Sequence, residues 1–332
     1  MKPKIFILTT GGTIAHRSKQ DGPAVMDFHP EELVNQIGLP DIQFEIKELI
    51  RTGSMNIVPV TWTVIAEAVA DVLMETVPQG LVILHGTDTI HYTASALSFM
   101  LRDLSVPLVL TGSMIPGGDP GSDSLPNLRD AIRVAAYSDI AEVCIVFSGD
   151  AERSQGLIIR GCRARKVHSV DINAFDSINV PPIGYIEDEE ISYTNLTRRK
   201  RTESNIMVST DLDPDVALIK LNPATTAEML TVYLQGMSGA VLEGTGVGHM
   251  RPGLQKVIES FDKPVVMSTQ TIYGGECLGR YNVDQSILGI KNLIPARDMT
   301  SETALVKLMW ALAQEGDVRS MMLTNLAGEI SE

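Results

Sequence analysis

The sequence contains few cysteines, and they lie far apart. Only three occur in 332 residues, Cys144, Cys162 and Cys277, and no two of them form a C-x-x-C pair. This number and spacing indicate neither a disulfide framework nor a thiolate zinc site. We expect buried thiols in a protein from a reducing compartment.

Long apolar runs and positive charge are also scarce. Lys2 and Lys4 precede only four or five apolar residues, too few for the core of a signal peptide, and no later run approaches the length of a membrane span. The formal net charge is −14, whereas binding to phosphates requires clustered positive charge. We predict a cytoplasmic protein with no membrane partner and no general nucleic-acid surface.

Several widespread catalytic motifs are absent. Gly11-Gly12 lacks the G-x-G-x-x-G spacing of a dinucleotide loop, and the chain contains no G-x-x-x-x-G-K-[ST] phosphate loop, no H-E-x-x-H zinc helix and no G-x-S-x-G nucleophile elbow. The six histidines show no metal-ligand spacing, although His85 stands beside Thr87-Asp88. These absences argue against a nicotinamide cofactor, a nucleotide-phosphate loop and a serine-hydrolase site.

What the sequence does contain is a repeated pairing of buried strands with small polar residues. The first strand, Ile5 to Leu8, runs directly into a threonine- and glycine-rich turn, and three later apolar runs end similarly. The four strand ends are residues 9–13, 85–89, 111–113 and 148–150. Because helical segments separate the runs, the pattern predicts a parallel sheet covered on both faces, with these ends along one edge. Ordinary structural turns are the alternative interpretation.

The pattern also predicts the division of the chain into domains. We expect an N-terminal catalytic α/β domain over residues 1–186, a linker over 187–213 and a smaller C-terminal α/β domain over 214–332. The linker is charged and polar and contains the basic run Arg198 to Arg201. Four like charges in such a segment favour an exposed, solvated stretch over a nucleic-acid site.

The predicted sheet edge offers hydroxyls and a carboxylate but no obvious imidazole base. A threonine hydroxyl becomes a nucleophile when another group accepts its proton, and a lysine oriented by an aspartate can do so. Lys166, in the segment 163–166, is the candidate, with Asp88 to hold it. A solvated basic stretch is the competing interpretation.

Two segments, Thr10 to Ala15 and His85 to Thr89, closely resemble the two signatures of the bacterial-type L-asparaginases. The resemblance extends along nearly the whole chain and is greatest to the archaeal type I, cytoplasmic branch, including Leu97 to Arg102 and Thr111 to Met114. It implies a larger flavodoxin-like N-terminal domain with a mostly parallel sheet and a smaller C-terminal α/β domain. It also implies a homo-oligomer, a dimer or a tetramer, with sites completed across the dimer interface, and no metal or organic cofactor.

The resemblance assigns roles to particular residues. It implies that Thr13 attacks the side-chain amide of L-asparagine to give a β-aspartyl acyl-enzyme, which water then hydrolyses. Thr87, Asp88 and Lys166 are implied as the second catalytic set, and L-glutamine is the alternative substrate. The implied substrate-binding residues are Ser54, which would hold the α-carboxylate, Gly12, Gly86 and Ser113, and Asp88 would also meet the α-amino group.

One departure from the family pattern concerns the loop after the first signature. The family normally carries a tyrosine there, close to the nucleophile, but residues 16–28 contain none. Tyr273, in the predicted second domain, is our candidate for the missing phenol.

Two other functions compete with a free asparaginase. The chain also resembles the amidase subunit of the archaeal Glu-tRNA(Gln) amidotransferase, which supplies ammonia to a partner subunit that works on tRNA. That subunit normally has an additional N-terminal domain, for which a first motif at Thr10 leaves no room, so we favour the free enzyme. The other alternative is a weakly active amino-acid-binding protein, against which the intact Thr13, Thr87, Asp88 and Lys166 argue.

Overall fold

The computed structural model describes residues 2–19, 22–25, 30–202, 205–282 and 284–331. Residues 20, 21 and 26–28 of the loop without a tyrosine lie outside this described part. Contacts divide the chain into two units, residues 1–210 and 211–332, and each has a sheet of its own. None of the described helices is long and apolar enough to cross a membrane.

The first unit has a central sheet with short strand pairs beside it. In chain order its strands are β1 (Lys4–Gly11), β2 (Arg17–Lys19), β3 (Gly22–Val25), β4 (Gln43–Thr52), β5 (Gly80–Leu84), β6 (Leu101–Arg102), β7 (Leu108–Thr111), β8 (Val143–Ser148), β9 (Gln155–Arg160), β10 (Ala164–Lys166), β11 (Phe175–Ser177), β12 (Gly184–Glu187), β13 (Glu190–Tyr193) and β14 (Met207–Val208). The central sheet has the order β13-β12-β9-β8-β7-β5-β1-β4. From β4 to β8 the neighbours are parallel, whereas β9, β12 and β13 pair antiparallel at the other edge.

Helices cover both faces of this sheet. They are α1 (Pro30–Gln36), α2 (Pro59–Glu75), α3 (Ile90–Met100) and α4 (Ser124–Tyr137). Ile5 and Ile7 of β1 are fully buried in a core that includes residues of α1 and α4. Burial of each isoleucine contributes about 2 kcal/mol. On α3 almost every side chain is buried, and this helix packs against β7 and β8.

The sequence analysis does not predict β4, the outermost parallel strand. Its residues alternate between exposed and half-buried, and several carry charge. An edge strand is paired on one side alone and therefore does not need the continuous apolar run that identifies β5 or β8.

The second unit is a smaller parallel α/β layer. Its strands are β15 (Val216–Lys220), β16 (Gly239–Gly244), β17 (Val265–Thr269) and β18 (Leu293–Pro295), and its helices are α5 (Ala227–Leu234), α6 (Pro252–Ser260), α7 (Asp284–Leu288), α8 (Ser301–Leu312) and α9 (Val318–Leu323). The sheet order is β15-β16-β17-β18, and all three pairings are parallel. The predicted fold class, a larger, mostly parallel α/β domain with a smaller C-terminal one, is confirmed.

The segment predicted as a linker, residues 187–213, contains β13 and the basic run. Arg198 donates two hydrogen bonds of 2.8 Å to the carboxylate of Asp139. Arg201 donates to the carbonyl of Ala135 near the end of α4, where helical carbonyls lack partners. The prediction of a solvated basic run is therefore wrong for both arginines. The exact domain bounds stay a prediction.

One carboxylate of the first unit makes stability depend on pH. Asp130 of α4 lies against β9, where a Cβ added at Gly156 would be 2.6 Å from Asp130 Oδ2. Burial raises the pKa of Asp130 to about 6, against the smaller opposite effects of Arg133 and Arg129. The folded state therefore resists ionisation of this group, and its contribution to stability falls as pH rises from about 4 to 6.

We expect Asp130→Asn to gain roughly 2 kcal/mol in unfolding free energy relative to the wild type between pH 4 and pH 7. Urea unfolding at both pH values measures this change. Asp150→Asn is the control: the side-chain hydrogen bond from Ser154 lowers the pKa of Asp150, so its titration lies below this pH range and the variant should change little between pH 4 and pH 7. A difference between Asp130→Asn and wild type that does not change with pH would contradict the assignment.

In the second unit, a buried ion pair holds the C-terminal segment. Lys307 of α8 and Glu329 form this pair, and both side chains are fully buried. The amine also donates to the carbonyls of Met322 and Thr324, at 3.1 and 2.7 Å. Removal of one partner from such a pair leaves an uncompensated buried charge.

Lys307→Met is expected to lower the unfolding free energy of the second unit by about 3 kcal/mol. Fluorescence of Trp310 on α8 reports this unit when Trp62 of the first unit is replaced by phenylalanine. Lys256→Met, at an exposed position on α6, is the control and should change little. An equal effect of the two substitutions would show that the buried pair contributes nothing specific.

Candidate active site

The turn after β1 lies directly against the turn after β5. Gly12 has a φ of 84°, and a Cβ added to it would lie 2.4 Å from the Cα of Gly86. That φ and this contact with backbone atoms both require glycine. Thr13 begins a 3₁₀ turn, Thr13–Ala15, and is half-buried. The two signature segments of the sequence thus meet through their glycines.

Ser54 joins the segment after β4 to the turn after β5. Its Oγ accepts a hydrogen bond of 3.2 Å from the N–H of Asp88, and its carbonyl accepts one of 2.8 Å from the hydroxyl of Thr89. A Cβ at Gly86 would lie 2.7 Å from Ser54 Oγ. Ser54 is buried at this edge of the sheet, beside the predicted catalytic residues.

Lys166, at the end of β10, reaches the same edge. Its Nζ donates to Thr87 Oγ1 at 2.9 Å and to Asp88 Oδ1 at 2.7 Å. The Thr87 side chain is buried, the lysine side chain is 15% exposed, and that of Asp88 is 64% exposed. An amine in contact with a hydroxyl and oriented by a carboxylate can take up or deliver a proton at that hydroxyl. The structure therefore brings together three residues predicted from distant parts of the sequence.

Ser113 follows β7 at the same sheet edge and is completely buried. Its Oγ has no hydrogen-bond partner among the described residues. A buried hydroxyl without a partner costs about 1–3 kcal/mol, which a polar group of a ligand would offset.

Tyr273 is located in the second unit, in the segment after β17, and 54% of its surface is exposed. Its role as the missing phenol stays a prediction.

His85, which stands beside Thr87 and Asp88 in the sequence, makes two hydrogen bonds at the turn after β5. Its Nδ1 lies 2.7 Å from the carbonyl oxygen of Gly86, so Nδ1 carries the proton and donates it. Its Nε2 accepts a hydrogen bond of 2.9 Å from the hydroxyl of Thr93. Burial lowers the pKa of His85 to about 4. The imidazole is therefore neutral at physiological pH and fixes the turn instead of acting as a base.

Sequence reasoning missed a second support, beneath the turn after β7. The carboxylate of Asp123 accepts hydrogen bonds of 2.9 Å from the N–H groups of Met114 and Ile115, and Asn127 Nδ2 donates to it at 3.0 Å. Asn127 also donates to the carbonyl of Gly112 at 3.0 Å. An Asp-Ser pair before a helix indicates a cap, but the Asp123 side chain makes no capping bond. No local pattern reveals its contacts across the loop.

An open cleft of about 550 Å³ lies beside these residues. Asp88 and Lys166 line it together with His91, Tyr92 and His168. Within the described ranges, no group of three or more His, Cys, Asp or Glu side chains is arranged to hold a metal ion. The arrangement is suited to acyl transfer with a hydroxyl nucleophile and a lysine–aspartate pair.

Family models match both units of the chain. Residues 4–198 match the asparaginase N-terminal model, and residues 215–322 match the model of the glutaminase/asparaginase C-terminal domain. The chain therefore belongs to the asparaginase family, as its two signature segments predict. The members of this family are amidohydrolases.

Individual relatives fall into two groups. The chain is 38% identical to an L-asparaginase of Thermococcus kodakarensis, covering 99% of both chains. It is 41% identical to a subunit of the Glutamyl-tRNA(Gln) amidotransferase of Pyrococcus furiosus, covering 99% of this chain and 77% of the relative.

Solved structures of asparaginases share the fold. The thermostable L-asparaginase of Thermococcus kodakarensis superimposes with a TM-score of 0.90 at 37% identity, covering 99% of both chains. L-asparaginase I of Vibrio cholerae superimposes with a TM-score of 0.85 at 30% identity, covering the whole of both chains.

Proposed function

We propose that this chain hydrolyses L-asparagine to L-aspartate and ammonia, with Thr13 as the nucleophile. Membership in the asparaginase family supports amidohydrolase activity in general. The observation that carries the finer proposal is the amine of Lys166, which contacts Thr87 Oγ1 and Asp88 Oδ1. Thr87 and Asp88 follow Gly86 in the sequence, and the turn that carries Thr13 packs against Gly86.

The proposed reaction has two halves. The hydroxyl of Thr13 attacks the side-chain amide carbon, its proton passes to the nitrogen, which leaves as ammonia, and water then hydrolyses the β-aspartyl ester and restores the hydroxyl. The N–H of Gly12 already donates to the carbonyl of Thr52, so the N–H groups of Thr13 and Thr87 are the candidate donors to the oxyanion. Thr87 and Lys166 transfer the proton that the second half requires.

Substrate recognition is assigned to groups at the same edge. Ser54 would bind the α-carboxylate and Asp88 the α-amino group, as the sequence resemblance implies. Ser113 would donate its buried hydroxyl to the substrate, and Gly12 and Gly86 would provide the close backbone surface.

The test is ammonia release from L-asparagine and L-glutamine by the purified chain alone. We expect turnover of L-asparagine, and in the presence of hydroxylamine we expect β-aspartyl hydroxamate, because an acyl-enzyme partitions between water and the added nucleophile. A folded chain that binds L-aspartate but releases no ammonia from either amide would overturn the proposal and support a binding protein.

A second candidate is the ammonia-supplying subunit of a tRNA-dependent amidotransferase. The 41% identity to a subunit of a Glutamyl-tRNA(Gln) amidotransferase favours it. Low turnover by the chain alone, with L-glutamine preferred over L-asparagine, would support this candidate. Rapid and selective hydrolysis of L-asparagine would exclude it.

The location and assembly of the protein are part of the proposal. A probable cytoplasmic L-asparaginase of Campylobacter jejuni superimposes with a TM-score of 0.81 at 25% identity. This similarity supports a cytoplasmic location, and the family resemblance supports a homo-oligomer, which sedimentation velocity would measure.

Tyr273 is proposed to supply the phenol that the loop after the first signature lacks. Tyr273→Phe is expected to lower kcat about tenfold or more, in the range of a lost proton-transfer or hydrogen-bonding group, with little change in thermal stability. Tyr281→Phe, at a similarly exposed tyrosine of the same unit, is the matched control. Equal kcat values in the two variants would remove Tyr273 from the mechanism.

A further inference from the structure

The turn that carries Thr13 is held by a side chain three residues further along. His16 directly follows the 3₁₀ turn, and its Nδ1 lies 2.7 Å from the carbonyl oxygen of Gly12. A carbonyl oxygen can only accept, so Nδ1 carries the proton and donates it. This hydrogen bond closes the turn across the residue proposed as the nucleophile.

The rest of the turn is held by backbone groups. The carbonyl of Thr13 accepts from the N–H of Gly117 at 3.2 Å, and that of His16 accepts from the N–H of Gly118 at 2.9 Å. On the other side, the N–H of Gly12 donates to the carbonyl of Thr52 at 3.0 Å. These bonds fix the chain before and after the peptide that joins Gly12 to Thr13.

Apart from His16, the peptide between Gly12 and Thr13 has few groups that hold its carbonyl in place. Gly12 has a φ of 84° and a ψ of −174°. Glycine adopts positive φ about as readily as negative φ, so its own conformational preference does not fix this peptide. Within the backbone, its carbonyl accepts from the N–H of Ala15 at 3.0 Å, a single bond of the 3₁₀ type, which is generally weaker than the α-helical type. The imidazole of His16 provides the second donor to this oxygen.

We propose that His16 is a positioning residue for Thr13. By holding the Gly12 carbonyl, the imidazole fixes the plane of the Gly12–Thr13 peptide. It thereby fixes the direction of the Thr13 N–H and the placement of the Thr13 hydroxyl. The inference rests on the proposed function, since it concerns the nucleophile of that reaction. His16 acts through the backbone, in the loop from which the family's usual tyrosine is missing.

Two nearly isosteric substitutions separate the donor from the volume of the side chain. In His16→Asn the amide nitrogen takes the place of Nδ1 and can still donate to the Gly12 carbonyl, whereas in His16→Leu no donor remains. We expect His16→Leu to lower kcat for L-asparagine about tenfold with KM changed less than twofold, which is the effect of one lost hydrogen bond. His16→Asn should retain kcat within about threefold of the wild type.

Other outcomes would overturn the proposal. His16→Gln places its amide at the position of Nε2, so rescue by glutamine but not by asparagine would move the function to Nε2. Equal kcat in the asparagine and leucine variants would show that the donor has no role. A loss of L-aspartate binding in His16→Leu together with a lower melting temperature would show a merely structural effect.

A second measurement does not depend on activity. In protein labelled with ¹⁵N-histidine, the ring signals of His16, assigned by their absence from His16→Asn, should show the Nδ1–H tautomer at pH 8. The Nε2–H tautomer would refute the hydrogen bond on which the inference rests. If the wild type has no amidase activity, the proposed function fails, and an Nδ1–H tautomer would then confine His16 to holding the turn.

Discussion

Replacing Thr13 with alanine is expected to lower ammonia release from L-asparagine by about four orders of magnitude or more, because no acyl-enzyme can form without the hydroxyl. Thr13→Ser keeps a hydroxyl at the same place and should retain measurable turnover. Hydroxamate formation in the presence of hydroxylamine should disappear with Thr13→Ala and persist with Thr13→Ser. These two variants, with the wild type as reference, measure the contribution of the hydroxyl separately from that of the methyl group.

The control for this prediction is binding of the product. Thr13→Ala should bind L-aspartate with an affinity close to that of the wild type, because the proposed recognition groups Ser54, Asp88 and Ser113 are unchanged. Calorimetric titration measures this affinity. Substantial turnover by the alanine variant would show that another group is the nucleophile, and the buried hydroxyl of Thr87 would then be the first to test.

Lys166→Met is expected to lower kcat for L-asparagine about a thousandfold, within the range for loss of a general acid or base. The lysine amine contacts the Thr87 hydroxyl at 2.9 Å and the Asp88 carboxylate at 2.7 Å. Methionine has a similar length but neither takes up nor donates a proton. The carboxylate of Asp88 is largely exposed, so water can solvate it after the substitution and folding should be little affected.

Two further variants show whether the lower kcat of Lys166→Met is due to lost proton transfer. Lys166→Arg keeps the positive charge but remains protonated, so it should not restore activity. Lys256→Met, on the exposed side of the second unit, should leave kcat unchanged. Activity of Lys166→Met within tenfold of the wild type would remove the lysine from the proposed mechanism.

The apolar runs of the sequence predict the parallel strands β1, β5, β7 and β8 of the central sheet, but not the parallel edge strand β4. Strands such as β5 and β8 are buried on both faces and therefore appear as continuous apolar segments. The structure also brings Lys166 into contact with Thr87 and Asp88 of one polar strand end, and it places the strand ends after β1 and β5 against each other. Their catalytic roles, like that of Thr13, stay predictions until activity is measured.

Features that depend on distant partners could not be predicted in this way. The exposed edge strand β4 lacks an apolar run, and the Asp123 carboxylate binds a loop before its own helix. Arg198 and Arg201 look like part of a solvated run because acceptors such as Asp139 and Ala135 lie 59 and 66 residues earlier in the sequence. His16 likewise has no recognisable motif, because its partner is a backbone carbonyl.

The arginines of residues 198–201 also determine where the chain can be cut without damage. Arg201 donates to the carbonyls of Ala135 and Ser138 at the end of α4, and Arg198 neutralises Asp139. A fragment that ends before these arginines would expose the end of α4 and leave its acceptors without donors. Proteolysis or truncation between residues 187 and 198 should therefore damage the first unit, whereas a fragment that extends beyond residue 201 keeps this anchor.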